Sequence, residues 1–439
     1  MRGALLPVIG GDLMVPLVTG GEIRSANLDY AASAPALESV AERVTELLPF
    51  YASVHRGSGY ASQVSTSVYE SARRIVGEFL GARPDDYVLF TRNTTDSLNL
   101  LASVSPGRTL LLDTEHHANL LPWQRSEGRA TVLAAERSIA ATLELLERAL
   151  AAESFALVTV TGASNVTGER LPLELIAGLA HAAGARLAVD GAQLVPHRRV
   201  DMAATGIDYL AFSGHKTYAP FGAGALIGRA DWLDAGRAYL AGGGAVSRVT
   251  LDRTDWHIGP ARHESGSPNV VGVAAMARAV EALSGLDEAA WVSHERELRE
   301  RLVSGLASLD RISLHRAFDD SDEPVGVVTF TVEGADAGLV SAYLSAEWGI
   351  AVRDGRFCAH PLLDRLGLTG PAVRASLGVG SGEEDVDRLI EALARFLGDG
   401  PRWEYELGAE GWEPVGDPRP RPDWAPDAGT SSHSFGCSF

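Results

Sequence analysis

Residues 209–220, YLAFSGHKTYAP, join a short apolar run to Lys216, which is the only lysine in a chain of 439 residues. An apolar run of this length that ends in serine and glycine is typical of a strand buried on both faces of a sheet. All the other basic residues are arginine. Arginine stays protonated and does not condense with an aldehyde, whereas a lysine amine can form an imine. The end of this strand therefore requires an amine rather than a positive charge.

The same strand pattern recurs along the chain and alternates with stretches of helical spacing. Strands are predicted at 86–92, 109–113, 156–162, 186–191, 209–214 and 224–228, and helices at 68–80, 139–152 and 171–183. This alternation predicts a mostly parallel sheet in an α/β domain. Asn165, Asp190, Ser213 and His215 fall at or just past strand ends. Because the functional site of such a sheet lies at the carboxyl ends of its strands, these side chains should converge.

The chain is predicted to contain two domains and two extensions. Residues 1–24 form an N-terminal extension, 25–285 a large domain, 286–400 a small α+β domain and 401–439 a tail rich in proline and tryptophan. The start of the large-domain segment is expected to join the small domain. Within the small domain, the pattern predicts helices at 288–309 and 383–397 and strands at 325–332 and 350–355. The tail is expected to be irregular or partly disordered.

The composition excludes several classes of partner. A net charge of −19 disfavours nucleic acid and anionic membranes, which attract concentrated Lys and Arg. The chain has no run of 18 apolar residues, so no membrane span is expected. Asp12 and two prolines interrupt any signal-like N-terminal segment. Only two cysteines, Cys358 and Cys437, are present, so no disulfide framework is expected. We therefore expect a cytoplasmic protein.

Asp190 suggests which aldehyde Lys216 binds. A lone aspartate at a strand end is usually a cap or a turn residue. Pyridoxal phosphate, however, needs both a lysine for its aldehyde and a carboxylate that keeps its ring nitrogen protonated. Asp190 and Lys216 follow two strands of the same predicted sheet. Together they predict a pyridoxal phosphate site.

Several motifs resemble the class V aminotransferase branch of fold-type I pyridoxal phosphate enzymes, most closely group II cysteine desulfurases and selenocysteine lyases. The matching stretches run in order from about residue 25 to 398: LDYAASAP (28–35), VHRG (54–57), TRNTTDSLNL (91–100), TEHHANLLPWQ (114–124), SNVTGE (164–169), VDGAQLVPHRRVD (189–201), FSGHKTYAPFGAG (212–224), RHESGSPN (262–269), VRDGRFCAHPL (352–362) and VRASLG (373–378). The resemblance implies a seven-stranded, mostly parallel sheet flanked by helices, a smaller α+β C-terminal domain, and a homodimer.

The resemblance also implies a role for individual residues. For the cofactor, it implies that Lys216 forms the imine, His116 stacks on the pyridine ring, Asp190 pairs with its nitrogen, Gln193 contacts its phenolic oxygen, and Thr94, Thr95, Ser213, His215 and a second subunit's Ser267 hold the phosphate. For an amino-acid substrate, it implies that Arg374 binds the carboxylate and that Asn165, His55, Arg353 and Asn269 border the site. A planar guanidinium suits bidentate binding of a carboxylate.

Cys358 occupies the place of the family's catalytic cysteine. A cysteine is more often a small buried apolar residue than a nucleophile, but neighbouring arginines favour the thiolate. Cys358 and His360 are too few ligands for a zinc site, so no metal is expected. The family usually has two histidines directly before this cysteine, whereas this chain has Arg356 and Phe357. The change bears on the protonation of the thiol, on the substrate, or on both.

These residues favour an enzyme that takes sulfur from L-cysteine and leaves alanine and a persulfide on Cys358, with Lys216 as the proton shuttle. A sulfur-acceptor protein is a further expected partner. Alternatives are a specialised pyridoxal phosphate-dependent C–S lyase, a selenocysteine lyase or an epimerase of amino-acid-derived secondary metabolism. A binding or sulfur-carrier scaffold without turnover is a third reading. It is disfavoured because a scaffold has no use for Lys216, Asp190, His116 and Arg374 together.

Overall fold

The structure is a computed structural model that describes residues 3–125, 127–409 and 411–425. Its strands are β1 Met14–Pro16, β2 Glu22–Arg24, β3 Ala26–Asn27, β4 Asp86–Thr91, β5 Thr109–Leu112, β6 Ala130–Leu133, β7 Leu157–Thr161, β8 Arg186–Asp190, β9 Tyr209–Ser213, β10 Gly224–Arg229, β11 Val246–Val249, β12 Thr254–Trp256, β13 Ile312–His315, β14 Val327–Val332, β15 Ile350–Ala351, β16 Arg353–Gly355, β17 Ala372–Ser376, β18 Tyr405–Gly408 and β19 Gly411–Pro414. Its α-helices are α1 Glu38–Leu47, α2 Tyr60–Phe79, α3 Thr94–Val104, α4 His117–Gln124, α5 Ile139–Ala152, α6 Leu173–Ala182, α7 Met202–Thr205, α8 Ala230–Ala235, α9 Val270–Ser284, α10 Glu288–Ala307, α11 Ala337–Trp348, α12 His360–Arg365 and α13 Glu383–Asp399. Short 3-10 helices cover Leu48–Phe50 and Pro260–Arg262.

A seven-stranded sheet in the order β4-β10-β9-β8-β7-β5-β6 forms the centre of the fold. β10 is antiparallel to both of its neighbours, and the pairs from β9 to β6 are parallel. All residues of β7 and β9 are buried, which explains their continuous apolar sequences. The prediction of a mostly parallel seven-stranded sheet is confirmed.

The edge strand β6 is absent from the six strands that the sequence pattern indicated. Its residues, Ala130–Leu133, are half-buried or exposed, so they carry no long apolar run between turn signals. β6 is held by its parallel pairing with β5, from Thr109↔Ala130 to Leu112↔Leu133. Hydrogen bonding to a neighbouring strand decides this element, and a local pattern does not contain that information.

A second sheet, in the order β13-β14-β17-β16, is antiparallel and packs with α10, α11 and α13. Its core contains Leu302, Phe330, Leu344 and Leu389. β3, near the start of the chain, pairs in parallel with β15 of this C-terminal part. The strand predicted at 350–355 is divided, because β15 pairs with β3 whereas β16 pairs with β17. The domain boundaries stay predictions.

The tail differs from the irregular segment that its composition suggested. β18 and β19 form an antiparallel hairpin, with Tyr405 opposite Pro414. Glu347 at the end of α11 accepts hydrogen bonds from the backbone amides of Arg402 and Trp403, at 2.9–3.1 Å, and from the Tyr405 hydroxyl at 3.2 Å. This buried carboxylate anchors the segment, a contact that composition does not reveal. Cys437 lies outside the described residues.

Within the part of the chain that the structure describes, none of the helices combines the length and the apolar character that a bilayer crossing requires.

Candidate active site

A cavity of about 260 Å³ lies at the carboxyl ends of β7, β8 and β9. Twelve residues with a predicted role line it: Thr94, Thr95, His116, Asn165, Asp190, Gln193, Ser213, His215, Lys216, Arg353, Cys358 and Arg374. The walls also include Asn93 and Ala31, to which the sequence assigned no role in the site, and Phe357, one of the two departures from the family pattern. The structure therefore brings together most of the residues expected at the strand ends.

Lys216 lies in the turn after β9, three residues beyond Ser213. Its backbone amide donates to Ser213 O at 3.3 Å, and the amide of Thr217 donates to Gly214 O at 2.9 Å. Burial lowers the pKa of the Lys216 amine to about 8, although the Asp190 carboxylate opposes this change and Arg374 adds to it. Near neutral pH a substantial fraction of the amine is uncharged and able to attack a carbonyl group.

Asp190 ends β8, and Gln193 follows in the turn beyond it; both are buried. Asp190 Oδ1 accepts from the amide of Ala192 at 3.0 Å, and burial raises the pKa of its carboxyl group. Gln193 Nε2 donates to Ala31 O at 2.7 Å. Gln193 Oε1 is buried without a hydrogen-bond partner among the residues that the structure describes. An unsatisfied atom in the wall of a cavity indicates that the site receives a further polar group.

Hydroxyl groups and the N-terminus of α3 form another wall. Asn93 caps this helix, since its Oδ1 accepts from the amide of Asp96 at 2.9 Å. Thr94 is thereby free of the capping role, and its amide and hydroxyl contact Ser213 Oγ at 2.7 and 2.6 Å. Burial and the charge of Lys216 lower the pKa of His215 to about 4. A helix N-terminus with hydroxyl groups is suited to an anion.

His116 is the N-cap residue of α4. Its Nδ1 accepts a hydrogen bond from the amide of Ala118 at 3.0 Å, so that nitrogen carries no proton. Burial, followed by the positive charge of Lys216, lowers the pKa of His116 to about 3. A neutral imidazole ring in the cavity wall can cover the face of an aromatic ligand.

Arg374 on β17 is 2% exposed. Its Nη1 donates to Asn165 O at 2.9 Å and its Nη2 contacts Asp29 Oδ1 at 3.0 Å. Burial lowers the pKa of the guanidinium, and the Asp29 carboxylate opposes that change. Sequence reasoning gave Asp29 no role. The available signal was that a buried arginine needs a counter-ion, and LDYAASAP contains one carboxylate.

The loop that carries Cys358 is fixed at its backbone. Cys358 O accepts from the amide of His117 at 2.8 Å, and Phe357 O accepts from Asn165 Nδ2 at 2.8 Å. Cys358 is half-buried in the cavity wall. Arg356 is absent from the described lining of the cavity, and its guanidinium contacts Asp364 and His360 O. Of the two departures from the family pattern, only Phe357 faces the site.

His55 and Ser267 lie outside this cavity in the single chain. His55 Nε2 contacts Glu70 Oε1 at 2.9 Å beside a separate cavity of about 430 Å³. Ser267 is exposed in the segment before α9. Asn269, also expected to border the site, caps α9 by accepting from the amide of Gly272 at 2.9 Å. Asn269 is likewise absent from the described lining of the cavity. The roles of His55, Asn269 and Ser267 in binding stay predictions, and Ser267 was expected to act in a second subunit.

A seven-stranded sheet with a lysine after one strand, a carboxylate at the end of the next and a helix N-terminus facing both defines the class of fold-type I pyridoxal phosphate enzymes. A family model described as Aminotransferase class-V matches residues 26–389. The chain belongs to the class V aminotransferase family.

Curated relatives are named for one activity. The chain is 35% identical over 381 residues to a probable cysteine desulfurase of Vibrio cholerae, with 84% of this chain and 93% of that protein covered. It is 37% identical over 386 residues to the cysteine desulfurase of Dickeya dadantii, with 84% and 92% covered.

Solved structures agree with the fold. A cysteine desulfurase from Thermococcus onnurineus superposes with a TM-score of 0.78 at 31% identity, covering 85% of this chain and 94% of that one. The Escherichia coli cysteine desulfurase CsdA superposes with a TM-score of 0.76 at 34% identity and the same coverage.

Proposed function

We propose that this protein is a pyridoxal phosphate-dependent cysteine desulfurase that acts on L-cysteine. The observation that carries the proposal is the cavity itself, about 260 Å³ in volume, which is lined by Lys216, Asp190, Arg374 and Cys358. An amine for an aldehyde, a carboxylate for a ring nitrogen, a guanidinium for a carboxylate and a thiol for sulfur are the four groups that this reaction needs.

The side chains of the cavity fit pyridoxal phosphate. Lys216 would bind its aldehyde, Asp190 its ring nitrogen, and Gln193, whose Nε2 has a second hydrogen beyond the one donated to Ala31 O, would donate to its phenolic oxygen. His116 would cover the ring, and Thr94, Thr95, Ser213 and His215 would surround the phosphate, with Ser267 of a second subunit. When bound, the cofactor supplies an electron sink for the bonds at the substrate Cα.

Arg374 would hold the substrate carboxylate, and Asn165 and Arg353 would border it. Arg374 is already placed by Asp29 and Asn165 O, so it does not have to be ordered when the substrate binds. Lys216, with a pKa of about 8, can take a proton from the substrate Cα and return one to the product. Its pKa near neutral pH supports both steps.

Cys358 would be the sulfur acceptor within the enzyme. Its thiolate attacks the substrate Sγ, the new S–S bond forms, and the Cβ–S bond breaks with its electron pair left on carbon. A proton then completes alanine. The balance is L-cysteine plus the Cys358 thiol giving alanine plus the Cys358 persulfide, and no external oxidant is needed.

We infer that the active form is a cytoplasmic homodimer that passes sulfur to an acceptor protein. Ser267 supports the dimer, because it is exposed and lies away from the cavity of its own chain although its motif matches a phosphate-binding segment. The net charge of −19 supports a partner other than nucleic acid or an anionic membrane.

Phe357 favours a second candidate function. Because an apolar ring stands in the cavity where the family usually has histidine, the protein could instead be a C–S lyase, a selenocysteine lyase or an epimerase acting on a different amino acid. Such reactions use Lys216 and the cofactor but do not require a nucleophilic thiol.

A panel experiment tests the proposal. The purified protein, loaded with pyridoxal phosphate, is incubated with L-cysteine, L-selenocysteine and other amino acids, and the products are identified. We expect alanine and protein-bound persulfide from L-cysteine. Lys216→Arg is the matched control because it keeps the charge and removes the amine. Turnover of another amino acid with no alanine from L-cysteine would favour the second candidate.

A further inference from the structure

The ring of Phe357 lies against the guanidinium of Arg374, and both groups line the cavity. The ring centroid is 5.1 Å from Arg374 Cζ. Phe357 is 4% exposed and Arg374 is 2% exposed. An aromatic face within about 6 Å attracts a cation, and the attraction grows where water is excluded. This contact is therefore in the environment where it has the greatest effect.

Asn165 contacts the same two residues, one through its side-chain amide and the other through its backbone carbonyl. Its Nδ2 donates to Phe357 O at 2.8 Å, and its backbone O accepts from Arg374 Nη1 at 2.9 Å. Asp29 takes Nη2 at 3.0 Å. Arg374 Nε is buried and has no hydrogen-bond partner in the described part of the chain. The guanidinium is thus held by three neighbours, namely Asn165, Asp29 and the ring of Phe357.

The backbone of Phe357 supports a specific role for its ring. Its φ is +52°, in the left-handed region that bulky residues rarely adopt. Such a conformation persists where the surroundings determine it. The ring belongs to a buried cluster with Val166, Leu362, Leu363 and Ala372. These side chains hold the ring in place over Arg374.

We propose that Phe357 is a positioning residue that holds Arg374 ready for a carboxylate, so that the cavity selects amines carrying an α-carboxylate without adding a titratable group next to the guanidinium. This inference rests on the proposed function, in which Arg374 binds the substrate carboxylate. The histidine usual in the family could take a proton and repel the guanidinium. A phenyl ring has no charge, so position 357 adds no charge to the subsite as the pH falls.

The charged and titratable groups around Phe357 come from several elements. They are Arg374 on β17, Asp29 after β3, Arg353 on β16, Asp190 at the end of β8, Lys216 and His215 after β9, His116 before α4 and the neighbouring Cys358. Asp29 and Asp190 are the carboxylates of this set, and Asp29 already contacts Arg374. A histidine at position 357 would place its charge directly against the guanidinium of Arg374.

Two ligands that differ only in the carboxylate test the role of Phe357. The holoenzyme is titrated calorimetrically with L-alanine and with ethylamine. The Kd for ethylamine divided by the Kd for L-alanine measures carboxylate recognition. We expect Phe357→Leu to reduce this ratio about tenfold, because an aliphatic side chain provides no aromatic face. Phe357→Tyr should keep the ratio of the parent. Phe330→Leu is the matched control. Phe330 is a buried phenylalanine on β14, which pairs with the strand that carries Arg374, and its replacement should leave the ratio unchanged.

A pH series adds a readout that loss of packing would not produce. The ratio should be constant between pH 8 and 6 in the parent and should fall below about pH 6.5 in Phe357→His, as the imidazole becomes charged. An unfolded fraction lowers the number of binding sites and not the ratio.

Three outcomes separate the possibilities. An unchanged ratio in Phe357→Leu, with a strong loss in Arg374→Lys, would overturn the role of Phe357 alone. A pH-independent ratio in Phe357→His would overturn the electrostatic part of the proposal. An unchanged ratio in Arg374→Lys would remove the carboxylate subsite itself, whereas the formation of alanine from L-cysteine tests the proposed function separately.

Discussion

Glu295 on α10 is a buried carboxylate that connects the segment after Gln193 with the segment before β14. Its carboxylate contacts His197 Nδ1 at 2.8 Å and Arg198, both of which closely follow Gln193. It also accepts from the amide of Gly326, next to β14. β14 pairs with β17, which carries Arg374. We predict that Glu295→Gln destabilises the fold and disturbs the cavity, because it leaves Arg198 buried without a counter-charge.

The magnitude follows from the titration of this carboxyl group. Burial would raise its pKa, but His197 and Arg198 outweigh burial and lower the pKa of Glu295 from 4.5 to about 2. That difference corresponds to about 3 kcal/mol of stability at neutral pH. Because the pKa is lower in the folded protein, this stability is present above about pH 4.5 and is lost as the pH falls towards about 2.

Thermal unfolding of the parent and Glu295→Gln at neutral pH is the assay. For a chain of 439 residues, a loss of about 3 kcal/mol should lower the midpoint by roughly 3 °C. The control is Glu78→Gln, whose side chain is 63% exposed and pairs with the equally exposed Arg74 on α2, so we expect little change. A Glu295→Gln midpoint within about 1 °C of the parent, or an equal loss of stability between pH 5 and pH 3 in both proteins, would refute the reasoning.

The other predictions concern the cofactor, the thiol and the dimer. The purified protein should be yellow, and Lys216→Arg should lose this absorption because a guanidinium does not bind an aldehyde; borohydride should attach the cofactor to the Lys216 peptide, and its covalent retention in Lys216→Arg would contradict the assignment. Cys358→Ala should still show a spectral change with L-cysteine but form alanine several orders of magnitude more slowly, whereas Cys437→Ala should behave like the parent; parental turnover by Cys358→Ala would favour the lyase or epimerase. Light scattering should show a dimer, and Ser267→Ala should weaken the binding of pyridoxal phosphate; a fully active monomer would exclude a composite site.

The sequence predicted the central sheet because its interior strands are covered on both faces. β7, β8 and β9 are buried and mainly apolar, and the helix at 139–152 is found within the bounds that its spacing indicated. The half-buried edge strand β6 has no such run, and the hairpin β18–β19 lies in a segment whose composition suggested irregular structure. Both depend on partners distant in the chain.

The sequence by itself determined which side chains to expect together at the ends of the strands. Lys216 is its only lysine, and Asp190, Ser213 and His215 fall at or near strand ends, which meet at one edge of a parallel sheet. Only the tertiary structure decided how these groups are tuned. Arg374 meets Asp29 across 345 positions, and Phe357 rather than Arg356 faces the cavity. Contacts between residues so far apart depend on how the two sheets pack, because local spacing constrains the direction of a side chain but not the neighbour that it meets.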